Sequence, residues 1–112
     1  MTNVEYETKV LIREIRKSNE YNQYQRLKKK LASNPDLMRE VNDYRRQCFY
    51  LQSRDAEDND NALLTQLRED NYEMLSNATV HEFLLSEQKL CRMMQKVLAS
   101  VAEAAGLDLD FL

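Results

Sequence analysis

The stretch Val80–Ala105 reads VHEFLLSEQKLCRMMQKVLASVAEAA. Within it Val80, Leu84, Glu87, Cys91, Met94, Leu98, Val101 and Ala105 fall at alternating steps of four and three. At 3.6 residues per turn those positions stack on one side of a helix, so the stretch predicts one long helix with an apolar seam, widened by Leu90 and Val97. A seam of that length must be buried against other helices. The expectation is an all-α, elongated bundle of about five helices, two of them long and heptad-patterned, forming a single domain over residues 1–112.

Punctuation on either side of this stretch sets the other elements. Ser76-Asn77 supplies an N-cap for the long helix, and Gly106 stands where a C-terminal cap belongs. Asn77-Ala78-Thr79 also matches a glycosylation sequon; with no secretion signal it is read as helix-start chemistry. Upstream, Ala62 to about Leu75 predicts a helix with Leu63, Leu64, Leu67 and Met74 on one side, after an acidic, polar loop over 55–61. Asn34-Pro35-Asp36 combines a capping side chain, a proline at the first helical position and an acid at the positive end of the dipole. The helix it opens carries Leu37, Val41, Tyr44, Cys48 and Leu51 at heptad spacing and ends near Ala56. Ser18 begins a shorter helix with Tyr21, Tyr24, Leu27 and Leu31, ending near Ala32. Val4 to about Arg16 forms the first, with a stripe of Val4, Thr8, Leu11 and Ile15, and Ile12 beside it. The pattern leaves open whether these two are one bent helix. The tail Leu107–Leu112 alternates apolar and acidic residues and is expected to fold back on the bundle.

Composition agrees with an all-helical chain. One glycine and one proline among 112 residues are too few for a turn-rich β architecture. An elongated bundle of this size buries less of its surface than a compact domain, so a second copy or a partner is expected to cover part of the seam. Met1–Glu7 is polar and acidic, with no apolar signal region, and no run of about 18 apolar residues exists to span a membrane. A reducing, cytoplasmic location suits Cys48 and Cys91, though a disulfide between them stays open in principle. The net charge of −3 hides an asymmetry: residues 1–54 sum to +5 and residues 55–112 to −8. That division fits complementary pairing within the bundle or between subunits, and equally fits solvated faces of no specific role.

Catalytic chemistry is not in view. There is one histidine, His81, placed off the seam near a helix start, and no GxSxG, P-loop or GxGxxG. Asp58, Asp60 and Glu69 stand at positions one, three and twelve of a calcium-loop register, but Leu63 replaces its glycine and Ala62 a ligand. Arg26, Lys28, Lys29 and Lys30, with Arg45 and Arg46, form a basic run near Tyr21, Tyr24, Tyr44 and Tyr50. This is the pattern an RNA-binding module would use, although the three tyrosines Tyr21, Tyr24 and Tyr44 lie on the core stripe and the pI is near 5.2. Cys48 and Cys91 are the residues of a metal or redox alternative; they lack CxxC spacing, and two thiolates do not complete a four-ligand site. Met38, Met74, Met93 and Met94 read first as core filler. No catalytic, cofactor-binding or metal residue is assigned. Residues apolar or aromatic yet off the main stripes are the candidate partner contacts: Phe49, Tyr50, Tyr72, Leu85 and Met93.

Ser18-Asn19-Glu20-Tyr21 with Tyr24, the Asn34-Pro35-Asp36 helix start, and Asn77, Val80, Phe83-Leu84, Glu87 and Leu90 ending in Gly106-Leu107-Asp108-Leu109-Asp110-Phe111 together resemble the YlbF/YmcA family of small helical bacterial proteins. The resemblance runs from about Val4 to Leu112. It implies a cytoplasmic helical bundle that self-associates, as a homodimer here, and acts as a non-enzymatic regulator or adaptor. Better-studied members join other YlbF-like proteins in a complex that engages ribonuclease Y and affects mRNA processing, competence, sporulation and biofilm formation. Some hold iron–sulfur clusters with cysteines that include a C-terminal group. This chain has no cysteine after Cys91, so no cluster, and no other cofactor, is expected.

Overall fold

The computed structural model describes residues 2–53 and 58–106, and the described residues form helices and short connections without a strand. There are six helices: α1 (Asn3–Lys17), α2 (Asn19–Ala32), α3 (Pro35–Ser53), α4 (Asp58–Asp70), α5 (Tyr72–Leu75) and α6 (Ala78–Ala104). The predicted tail over 107–112 and the end of the third helix over 54–56 lie outside the described residues.

Helix boundaries follow the capping chemistry. Thr2 Oγ1 accepts the Glu5 N–H at 3.1 Å and opens α1. Ser18, with extended backbone (ψ 152°), separates α1 from α2, so they are two helices. Its hydroxyl serves both sides, donating to the Ile15 carbonyl at 2.6 Å and accepting the Tyr21 N–H at 3.2 Å. Asn34 Oδ1 accepts the Leu37 N–H at 3.2 Å and α3 begins at Pro35, as the sequence predicts. Asn77 Oδ1 accepts from the N–H groups of Thr79 and Val80 at 3.0 and 3.2 Å, so this asparagine is the cap of α6. Gly106 has φ +73°, the left-handed conformation that only glycine adopts without strain, and its N–H reaches the Glu103 carbonyl at 3.0 Å.

Two boundaries differ from expectation. Asp58–Asn61 is the first turn of α4, not loop; carboxylates are stabilised at the positive end of a helix, so an acidic run is as good a helix start as a loop. The segment expected as one helix to Leu75 is two, divided at Asn71. The backbone of Asn71 leaves the helical region (φ −110°, ψ 21°), and its side-chain amide donates to the Leu67 carbonyl at 2.8 Å beside its own N–H at 3.2 Å.

Two compact units are distinguished. Residues 27–83 hold most of the core. Leu27 and Leu31 of α2, Val41 of α3, Leu67 of α4, Met74 of α5, and Val80 and Phe83 of α6 are buried there. Each contributes about 1.5–3 kcal/mol by leaving water. Arg45 of α3, which donates to Asn42 Oδ1 at 2.9 Å, lies over the Phe83 ring at 5.1 Å from its centroid, a cation–π contact that ties α3 to α6. The other unit, residues 1–26 and 84–112, is thinner: α1 buries no residue, and only Ser86 and Ala102 of α6 are buried among its described residues.

Truncating Phe83 to alanine therefore costs about 3–5 kcal/mol of unfolding free energy, while Leu98→Ala costs under about 1 kcal/mol. Urea denaturation of the two variants beside the parent checks this; equal losses would mean that the core is not centred on Phe83.

Candidate functional site

The seam read from sequence is corrected by the structure. Val80 is buried, but from Cys91 onward the 91–94–98–101 row faces solvent. The inward row of this part of α6 is Ser86, Leu90, Met93 and Val97, the first buried and the others half-buried. The two rows differ by one residue, about 100° around the helix. Both are apolar, so the arc of α6 is wider than one contact can cover, and periodicity alone did not say which row the chain's own core would take.

The outer row is left as a surface. Met94 is 42% exposed, Leu98 57% and Val101 57%. Cys91, Gln95, Ala99 and Ala105 lie beside or among them, so no charge interrupts the row. Its C-terminal end meets the start of α1: Val4, Glu7, Thr8, Leu11 and Val101 line an open groove of ≈ 380 Å³ with Asn3. Val4, Thr8 and Leu11, expected as a buried stripe, are exposed in that groove; of that stripe Ile15 alone is half-buried, and Val10 turns partly inward instead. A contiguous apolar strip therefore runs from Met94 through Leu98 and Val101 to Val4 and Leu11, within one unit. Strips of this kind on single chains mark contact sites.

The residues named from sequence as contacts are spread out. Phe49 and Tyr50 are exposed at the end of α3, Tyr72 is exposed at the start of α5, and Leu85 is exposed on α6. Met93 is half-buried on the inward row. Phe49, Tyr50 and Tyr72 belong to one unit and Leu85 and Met93 to the other; the sequence reading placed the strip's own residues on the seam, part of which it expected a second copy or a partner to cover.

Cys48 and Cys91 are both free, the first half-buried on α3 and the second exposed on α6. Among the described residues no three His, Cys, Asp or Glu side chains are grouped so as to hold a metal ion. Cys48 instead sits one turn from Tyr44 on α3. Burial, reinforced by the neighbouring Cys48 thiol, raises the Tyr44 phenol above its ordinary value near 10, and Arg68 of α4 opposes that shift. The basic run is divided among local tasks: Arg26 donates to Gln23 Oε1 at 2.8 Å, Arg46 pairs with Asp43 at 3.0 Å, and Arg45 covers Phe83. His81 is exposed in the first turn of α6. Among the described residues no helix is long and apolar enough to cross a membrane.

A family model described as "Control of competence regulator ComK, YlbF/YmcA" matches residues 4–104, nearly the whole chain. Neither curated proteins nor solved structures gave a match.

The Tyr44 environment makes a pH prediction. A phenol whose folded pKa is raised keeps its full stabilising contribution below pH 10 and loses it as pH rises through the folded value. Stability measured from about pH 9 to 11 should fall more steeply for the parent than for Tyr44→Phe; parallel curves would show that Tyr44 is not held in this environment.

Proposed function

The chain belongs to the YlbF/YmcA family, described by control of the competence regulator ComK, and from that premise we propose that it is a non-enzymatic regulator of the bacterial cytoplasm that acts through helix-mediated protein contacts. Its working surface is the apolar strip of α6 and α1, and the first partner of that strip is a second copy of the chain, giving a homodimer. The family resemblance extends the partners to other YlbF-like proteins and to ribonuclease Y. On this reading the chain works in the control of mRNA processing, competence, sporulation and biofilm formation. No cofactor takes part.

The observation that carries this reading is the outer row of α6. Apolar side chains at steps of three and four, exposed for more than two turns, are what a helix presents to another helix of the same spacing. The core is made without them, so the fold does not need this row to be apolar. A row free of charge can also meet its own copy across a two-fold axis without setting like charges together.

Leu98→Glu should weaken self-association by about tenfold or more, the equivalent of 1.4 kcal/mol, with helicity unchanged, in sedimentation equilibrium. In anaerobic affinity purification from the native cells, the tagged parent should recover YlbF-like proteins and ribonuclease Y, and Leu98→Glu should lose them. Parent-like association of Leu98→Glu would remove the strip from the account, and recovery of the chain alone would remove the ribonuclease connection.

A further inference from the structure

Two further surfaces carry opposite charge. On α1, Lys9, Arg13, Arg16 and Lys17 surround an open groove of ≈ 370 Å³ with Ile12 among them. All four cations are exposed. Lys17 pairs with Glu14 at 3.6 Å; among the described residues no carboxylate is paired with Lys9, Arg13 or Arg16. Lys9, Arg13 and Arg16 follow at i, i+4 and i+7, a ladder with steps of roughly 6 and 4.5 Å along one side of the helix.

The second surface lies where α4 passes into α5, in the other unit. Glu69, Asp70 and Glu73, with Glu40 of α3, surround an open hollow of ≈ 570 Å³. All four acids are exposed, and Asp70 accepts from the Gln66 amide at 2.8 Å. Tyr72 stands among them with 72% of its surface exposed. Met74 in the lining of the hollow belongs to the core, but none of the charged residues of either surface is buried, so packing alone does not explain their composition.

We propose that these surfaces are a matched pair, the cationic groove of α1 in one copy receiving the acidic α4–α5 corner of another. The groove supplies two guanidinium forks, which bind carboxylates with two parallel hydrogen bonds. The corner supplies the carboxylates together with an aromatic face on which a guanidinium can stack. Ile12 provides the apolar contact that excludes water beside the ion pairs. The divided charge of the sequence, +5 over residues 1–54 and −8 over residues 55–112, thereby has a use between copies. This contact differs in kind from the apolar strip. It joins unlike surfaces, it depends on salt, and it stands whether or not the strip pairs.

The test uses the full chain carrying Leu98→Glu, so that association through the strip does not obscure the result. In sedimentation velocity this chain should associate reversibly at about 50 mM salt and lose about tenfold or more in affinity at about 500 mM, where the Debye length is well under 10 Å. Arg13→Glu with Arg16→Glu should abolish the low-salt association, and so should Glu69→Arg with Glu73→Arg. An equimolar mixture of these two variants should associate again, because the intact corner of the first meets the intact groove of the second and the reversed groove meets the reversed corner. Lack of association at low salt, association indifferent to both reversals, or failure of the mixture to recover it would each overturn the proposal. In the first case the groove would be left to an anionic partner other than this chain. Association of the Leu98→Glu chain that does not weaken at about 500 mM salt would likewise overturn the proposal.

Discussion

Complete withdrawal of Val80 and Phe83 from water is the constraint around which the described core is arranged. These residues open the longest helix, and every neighbouring helix of their unit gives a side chain to the same core: Leu27 and Leu31, Val41, Leu67 and Met74. Protein interiors are packed about as densely as organic crystals, so a core of so few residues leaves little freedom in how each helix is rotated. Arg45 over the Phe83 ring adds orientation, since a guanidinium gains from the face of the ring and not from its edge. The period of α6 returns Met94 and Val101 to the side of Phe83, yet both are exposed, so burial along this helix is set by what packs against each part of it and not by its period.

The proposed function rests on surfaces and not on a pocket. The apolar strip and the two charged hollows are exposed. An apolar strip favours tight, salt-tolerant pairing with a surface of the same spacing. Charged hollows favour fast, selective and salt-sensitive encounter. A chain with both can separate the strength of a contact from the choice of partner, which suits a member of a regulator family.

Local chemistry made much of the fold readable. Asn34, Pro35 and Asn77 placed two helix starts because capping is a short-range bond between a side chain and the next few N–H groups. The failures have physical reasons too. The break at Asn71 carries no glycine or proline; it is a non-helical backbone conformation at one asparagine, whose side-chain amide bonds locally to the Leu67 carbonyl. The start of α4 was concealed because acids suit both loops and helix N-termini. Ser86 lies in the inward row although it is polar, which hid that row from a reading based on apolar periodicity.

By itself the sequence determined that the chain is helical, where most helices begin, and that α6 carries more apolar surface than a solvated helix needs. These properties follow from backbone sterics, capping and a 3.6-residue period, all of which act over a few residues. Only the tertiary structure decided that Leu90, Met93 and Val97 turn inward while Met94, Leu98 and Val101 stay outside. Two apolar rows one residue apart are equivalent to a periodicity. They become different only when other parts of the chain pack against one of them.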